Sequence, residues 1–121
     1  MNEYLTENPY LEMPKGMKAI FYDEALNVKS RITADYAVRY EKEEKMEARK
    51  HVVVINEKGE ELDTEHLIWD QKREKLISDE FVTIKQKDQT IFGYGFEANQ
   101  DFSKYRIFNP SGTFAVNNEK K

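Results

Sequence analysis

The chain repeats itself, and that constrains its fold more than any other feature. Shifted by thirty residues, Ile32 falls on Leu62, Asp35 on Glu65, Lys42 on Lys72 and Glu44 on Glu74. Lys45 then falls on Lys75, Met46 on Leu76, Ala48 on Ser78, Val52 on Val82 and Val54 on Ile84. The side-chain chemistry matches at each position. A weaker third copy, one residue further along, sets Ile107 under Leu76 and Asn109 under Ser78. Repeats of this size are units that cannot bury an apolar face alone, so they stack and the core grows along one axis.

The repeated unit reads as strand, charged tight turn, strand. Val28, Ser30, Ile32, Ala34, Tyr36, Val38 and Tyr40 share one parity, and a strand turns such residues to one face. Val52-Val53-Val54-Ile55 is a β-branched run that ends at Asn56-Glu57-Lys58-Gly59, a turn with a glycine free to take positive φ. Gln86-Lys87-Asp88-Gln89 is a second polar break. Asn109-Pro110-Ser111-Gly112 fits a type I turn position by position. Residues 41–50 (EKEEKMEARK) are strong helix formers. Their counterpart in the second copy has little helical character, and the repeat therefore predicts strand there too. Residues 1–16 read as an extended lead-in, because Asn8-Pro9 and Met13-Pro14 disfavour helix, with Tyr4, Leu5, Tyr10 and Leu11 available to dock. The domain proper is expected over 17–114, with a polar tail over 115–121.

Composition narrows the function. Charged residues make up 35% and hydrophobic ones 39%, more charge than the usual quarter, which suits a thin or open structure with much surface. Seven Tyr, seven Phe and one Trp argue against disorder. With net charge −4 and lysines mixed among glutamates, no basic patch for nucleic acid is expected. Without cysteine, disulfides, thiol catalysis and cysteine-held metals are excluded. His51 and His66 form no local metal motif, Gly93-Tyr94-Gly95 lacks the helix and further glycine of a dinucleotide loop, and no Ser/His/Asp constellation stands out. No enzyme, cofactor or metal site is expected.

Several segments resemble the LptC family and its OstA-like relatives: Ile32-Thr33-Ala34-Asp35-Tyr36-Ala37, Val52-Val53-Val54 through Gly59 to Leu62, and Leu67-Ile68-Trp69-Asp70. Leu76-Ile77-Ser78 to Val82, Gly93-Tyr94-Gly95-Phe96 and Tyr105-Arg106-Ile107 to Gly112 complete the set. The order and spacing of these segments, more than any one of them, carry the likeness. It implies an all-β fold, a twisted, boat-shaped β-jellyroll of stacked antiparallel hairpins with open ends and a hydrophobic groove. It also implies a periplasmic domain on an N-terminal membrane anchor not included in this sequence. Such a domain accepts lipopolysaccharide from an inner-membrane ATP-binding-cassette transporter and passes it to an LptA-like bridge protein by end-to-end strand pairing. On that likeness the edge around Tyr105, Ile107 and Phe114 meets the bridge and the N-terminal end faces the transporter. Free strand edges also leave a homodimer open.

The physics suits such a task. Burying one CH₂ is worth about 0.8 kcal/mol, so a chain of roughly a dozen carbons is worth on the order of 10 kcal/mol at most. A groove offering this removes most of the barrier to leaving a membrane. The inward candidates are Ile32, Ala34, Tyr36, Val52, Val54, Leu62, Leu67, Trp69, Leu76, Val82, Ile84, Phe92 and Phe96, with a bulge expected near Trp69, where the two copies differ by one residue. Each of these also fits plain core, and periodicity alone does not separate the two roles. Two other readings stand beside lipid transfer. One is a ligand-free structural β-array with a collapsed interior. The other is a carbohydrate-binding β-sandwich that uses Trp69 and exposed aromatics as platforms.

Overall fold

A computed structural model describes residues 10–115. Those residues form nine strands: β1 (Tyr10–Met13), β2 (Met17–Tyr22), β3 (Val28–Ala34), β4 (Tyr36–Tyr40), β5 (Lys45–Asn56), β6 (Glu61–Asp70), β7 (Lys75–Lys85), β8 (Gln89–Asn99) and β9 (Tyr105–Ala115). All pairings are antiparallel. The main path runs β1-β4-β5-β6-β7-β8-β9, and β2-β3 joins it on β5. The expected all-β fold of stacked hairpins is what the chain adopts, and the thirty-residue copies lie side by side. Strand β1 shows that the end of the lead-in belongs to the sheet. Tyr4, Leu5 and residues 116–121 of the tail lie outside the described residues.

The branch at β5 explains the shape. β3 pairs with residues 53–56 of β5, whereas β4 pairs with residues 45–49. Between these stretches Lys50 and His51 both take positive φ, and the register slips between Arg49 and Val52. Matching slips cross β6–β7 between Thr64 and Ile68, and β7–β8 between Ser78 and Phe81. Interruptions in line across neighbouring strands bend the whole sheet. The two half-sheets then face each other: the Phe21 ring of β2 meets Trp69 of β6 edge-on, centroids 4.7 Å apart.

Inside, side chains align in rows. One row runs Ala19, Ile32, Val54, Leu62, Ile84 and Ile91 across β2, β3, β5, β6, β7 and β8. On the opposite half-sheet a second runs Met46, Trp69, Leu76, Ala98 and Tyr105. The repeat is visible in the turns as well. Glu44 and Glu74, thirty residues apart, both take positive φ, and their carbonyls accept the Gln71 and Gln100 amides at 2.9 and 3.0 Å. Helix over 41–50 is absent: a turn and the start of β5 occupy it.

Three expectations are corrected. The alternating stretch from Val28 to Tyr40 is not one strand. It breaks at Asp35, whose amide bonds the Lys50 carbonyl at 2.9 Å, and parity flips there. Ala37 is buried, while Tyr36 turns to the outer face beside Tyr10, Glu12, Val38, Tyr40 and Arg49. Phe92 is also outside: Gly95, at φ +85°, shifts parity between Gly93 and Phe96, so Phe92 stacks on exposed Phe81. Finally, Asn109-Pro110-Ser111-Gly112 is no turn. It lies within β9, where Gly93 faces Pro110 and Phe92 faces Gly112, leaving Ser111 as the extra residue of a bulge. An edge strand tolerates a proline that lacks a ladder donor.

Candidate functional site

The candidate site is the space between the half-sheets together with its rim. Of the inward candidates, Ile32, Ala34, Val52, Val54, Leu62, Leu67, Leu76, Val82, Ile84 and Phe96 come together in one buried cluster with Ala48, Ala98 and Phe102. Trp69 packs on it from the rim, as do Met17, Ala19, Phe21, Tyr105 and Ile107. Tyr36 and Phe92 do not reach it. The cluster is closed in this state: Leu62, Leu67, Leu76, Val82, Ile84 and Phe96 are 0% exposed. A ligand reaches these side chains only if the half-sheets part or something leaves the interior.

Sequence reading missed the closure at one end. Residues 100–104 (QDFSK) connect β8 to β9, and their single aromatic, Phe102, is fully buried. Its ring centroid lies 5.9 Å from that of Phe96 and 4.9 Å from that of Tyr105. A lone aromatic in a polar loop was the available signal. Around it polar groups tie the half-sheets together. The Tyr105 hydroxyl donates to Glu60 Oε2 at 3.1 Å and accepts from Gln86 Nε2 at 2.6 Å. Burial pushes the Tyr105 phenol up from its ordinary value, and the Glu60 charge adds to this against the opposing Gln86 bond.

The outer face carries several ion pairs. Lys75 pairs with Glu97 at 2.8 Å and Lys85 with Asp63 at 3.1 Å. Glu47 collects Arg49 at 3.0 Å and His66 at 2.5 Å. Burial alone would raise the Glu47 carboxyl, but the hydrogen bonds from His66 and Arg49 outweigh it and hold the group below its ordinary value. Among the described residues no group of three or more His, Asp or Glu side chains is placed to hold a metal. No described helix is long and apolar enough to cross a membrane.

The partner-edge candidates divide by role. Tyr105 and Ile107 turn their side chains onto the core, so their contribution to strand pairing would come from the backbone. Phe114 sits opposite Thr90 in the β8–β9 ladder. Within the described sheet β9 has a neighbour on one side only. The sequence model of the family described as "Lipopolysaccharide-assembly, LptC-related" matches residues 15–110.

This chain belongs to the LptC family. The match spans β2 to β8, the bend they share and residues 105–110 of β9. LptC proteins are periplasmic components of lipopolysaccharide transport, and this chain has a role in that process. A search of curated proteins returned no match.

Proposed function

We propose that this domain shelters the acyl chains of lipopolysaccharide between its half-sheets, taking the lipid from an inner-membrane ATP-binding-cassette transporter and passing it to an LptA-like bridge protein through β9. It acts as a non-catalytic carrier held near the inner membrane by a segment preceding β1. One observation carries the reading: on each half-sheet an apolar row crosses β5, β6, β7 and β8, and one of the two continues to Tyr105 of the edge strand β9, whose other side is free within the described sheet. Such a lining offers an alkyl chain similar surroundings at every step, and transfer needs that more than a single tight site. Strand addition at β9 would extend that row into the next molecule.

Photo-crosslinking tests this directly. A benzoylphenylalanine at Val54 or Phe96, both inward, should crosslink to lipopolysaccharide in cells. The same group at Val53 or Tyr36, both outward, should not. Crosslinks confined to the outward pair would end the proposal.

A second reading has an observation of its own. On the outer face Phe81 and Phe92 lie nearly parallel, 19° apart with centroids at 6.2 Å, and Tyr94 meets Phe81 edge-on at 5.2 Å. Aromatic faces of this kind can receive sugar rings. Trp69, turned inward, has no part in it. Titrating the protein with a lipid-free core oligosaccharide decides: binding lost in the Phe81→Ala/Tyr94→Ala double variant supports a sugar platform, and no binding to the native chain removes it.

A further inference from the structure

We infer that Phe102 occupies an acyl-chain subsite, and that the loop carrying it, residues 100–104, is a plug which the first lipid chain displaces. The inference rests on the lipid-carrier reading above and says where the closed interior opens. Phe102 is the only residue of that loop that is buried, yet it reaches the core from a polar connection rather than from a strand. Its backbone sits at φ +58°, a conformation that disfavours an L-residue by about 1–2 kcal/mol. Contacts with the rest of the molecule must therefore hold it there.

Those contacts come from both half-sheets. From the β3 side, Ser30 Oγ donates to the Gln100 carbonyl at 3.4 Å, and Asn56 Nδ2 at the end of β5 donates to the Phe102 carbonyl at 2.9 Å. From the opposite side, Trp69 Nε1 donates to Gln100 Oε1 at 3.1 Å, and the Gln100 amide bonds the Glu74 carbonyl at 3.0 Å. The loop thus staples the half-sheets across their mouth by a few separate hydrogen bonds, each of modest net worth once water competes for the same groups. Beneath it lie Phe96 and Tyr105, the latter the β9 end of the second apolar row. When the loop swings out, Phe102 vacates a slot of alkyl-chain cross-section. Its own apolar surface becomes exposed, and an incoming chain offsets that loss by filling the slot. Plug and lipid chain compete for one place, so the empty carrier stays closed to water and the loaded carrier stays open.

The absence of cysteine permits a clean test on the full chain. Lys104→Cys, at the exposed end of the loop, takes a single nitroxide label, and 11-(dansylamino)undecanoic acid serves as the alkyl probe. The labelled protein keeps Phe102, so it reports even if Phe102→Ala fails to fold. Probe fluorescence should rise on binding, and the nitroxide should become mobile over the same concentration range. Phe102→Ala, where it folds, should bind the probe at least five-fold more tightly. If the probe binds the native chain while the nitroxide signal and the Phe102→Ala affinity stay unchanged, the plug is wrong and the lipid-carrier reading survives. If neither the native chain nor Phe102→Ala binds the probe, both are overturned.

Discussion

At the scale of single residues, two glycines of β8 and β9 differ sharply in the space the folded sheet leaves them. A Cβ on Gly93 would stand 2.4 Å from Ile107 Cγ2 and 2.8 Å from the Asn109 carbonyl oxygen, with Pro110 Cα at 3.0 Å. Two of these are backbone atoms with little room to move. Gly93→Ala should destabilise by about 1–3 kcal/mol through overpacking. At Gly112 a Cβ meets nothing within 4 Å, so Gly112→Ala should stay within about 0.5 kcal/mol of the parent. Urea unfolding of the two variants checks the pair, and equal losses would contradict it. Glu47 gives a pH-dependent counterpart. Its carboxyl is held below its ordinary value, so the unfolded chain takes up protons first as pH falls. The stabilisation from Glu47 is complete above the unfolded value of 4.5 and is lost as pH falls through the lower folded value. The stability gap between the parent and Glu47→Gln should therefore shrink steadily below about pH 5. A gap that holds or widens down to pH 3.5 would show that the ion pairs do not act this way.

At the scale of elements, strands and turns obey different rules, and that difference decides which of them a sequence makes legible. The turn at Asn56–Gly59 and the break at Gln86–Gln89 were legible because Gly, Asn and polar side chains mark them locally. The inner positions of β5, β6 and β7 were legible because β-branched and leucine residues alternate there. Parity was misread at Tyr36 and Phe92. A one-residue slip turns every later side chain to the other face, and those slips arise where the sheet bends over itself, a tertiary event with little local signature. Proline misled at Pro110 for a related reason: in sequence it resembles a turn, but an edge strand accommodates it as part of a bulge. The paired turns yield a prediction. Glu74 sits at φ +58°, so Glu74→Gly should relieve strain and stabilise by about 0.5–1 kcal/mol. Thr83→Gly, within the extended ladder of β7, should instead destabilise by about as much. The two unfolding midpoints should move in opposite directions, and a loss of stability at Glu74→Gly would refute the strain argument.

At the scale of the whole molecule, stacking that buries the interior leaves its ends unfinished. Each internal strand satisfies its backbone on both sides, whereas β9 has β8 on one side and, within the described sheet, no strand on the other. Exposed edges are a liability unless a partner takes them, and on the proposed reading the edge that continues the row ending at Tyr105 is where transfer to a bridge protein would occur. Antiparallel geometry makes that idea testable through periodicity alone. Along a strand, N–H groups point alternately to the two neighbours. Proline placed singly at Arg106, Ile107, Phe108 and Asn109 should therefore divide into two alternating classes. At positions whose amide faces β8, the variant should lose stability. At the intervening positions it should keep its unfolding midpoint but bind the bridge protein at least ten-fold more weakly, because the donor lost is one the bridge would have used. Stability and pull-down affinity should thus change out of phase along four consecutive residues. If affinity is retained at all four, or falls only where stability falls, β9 is not the edge that receives the bridge.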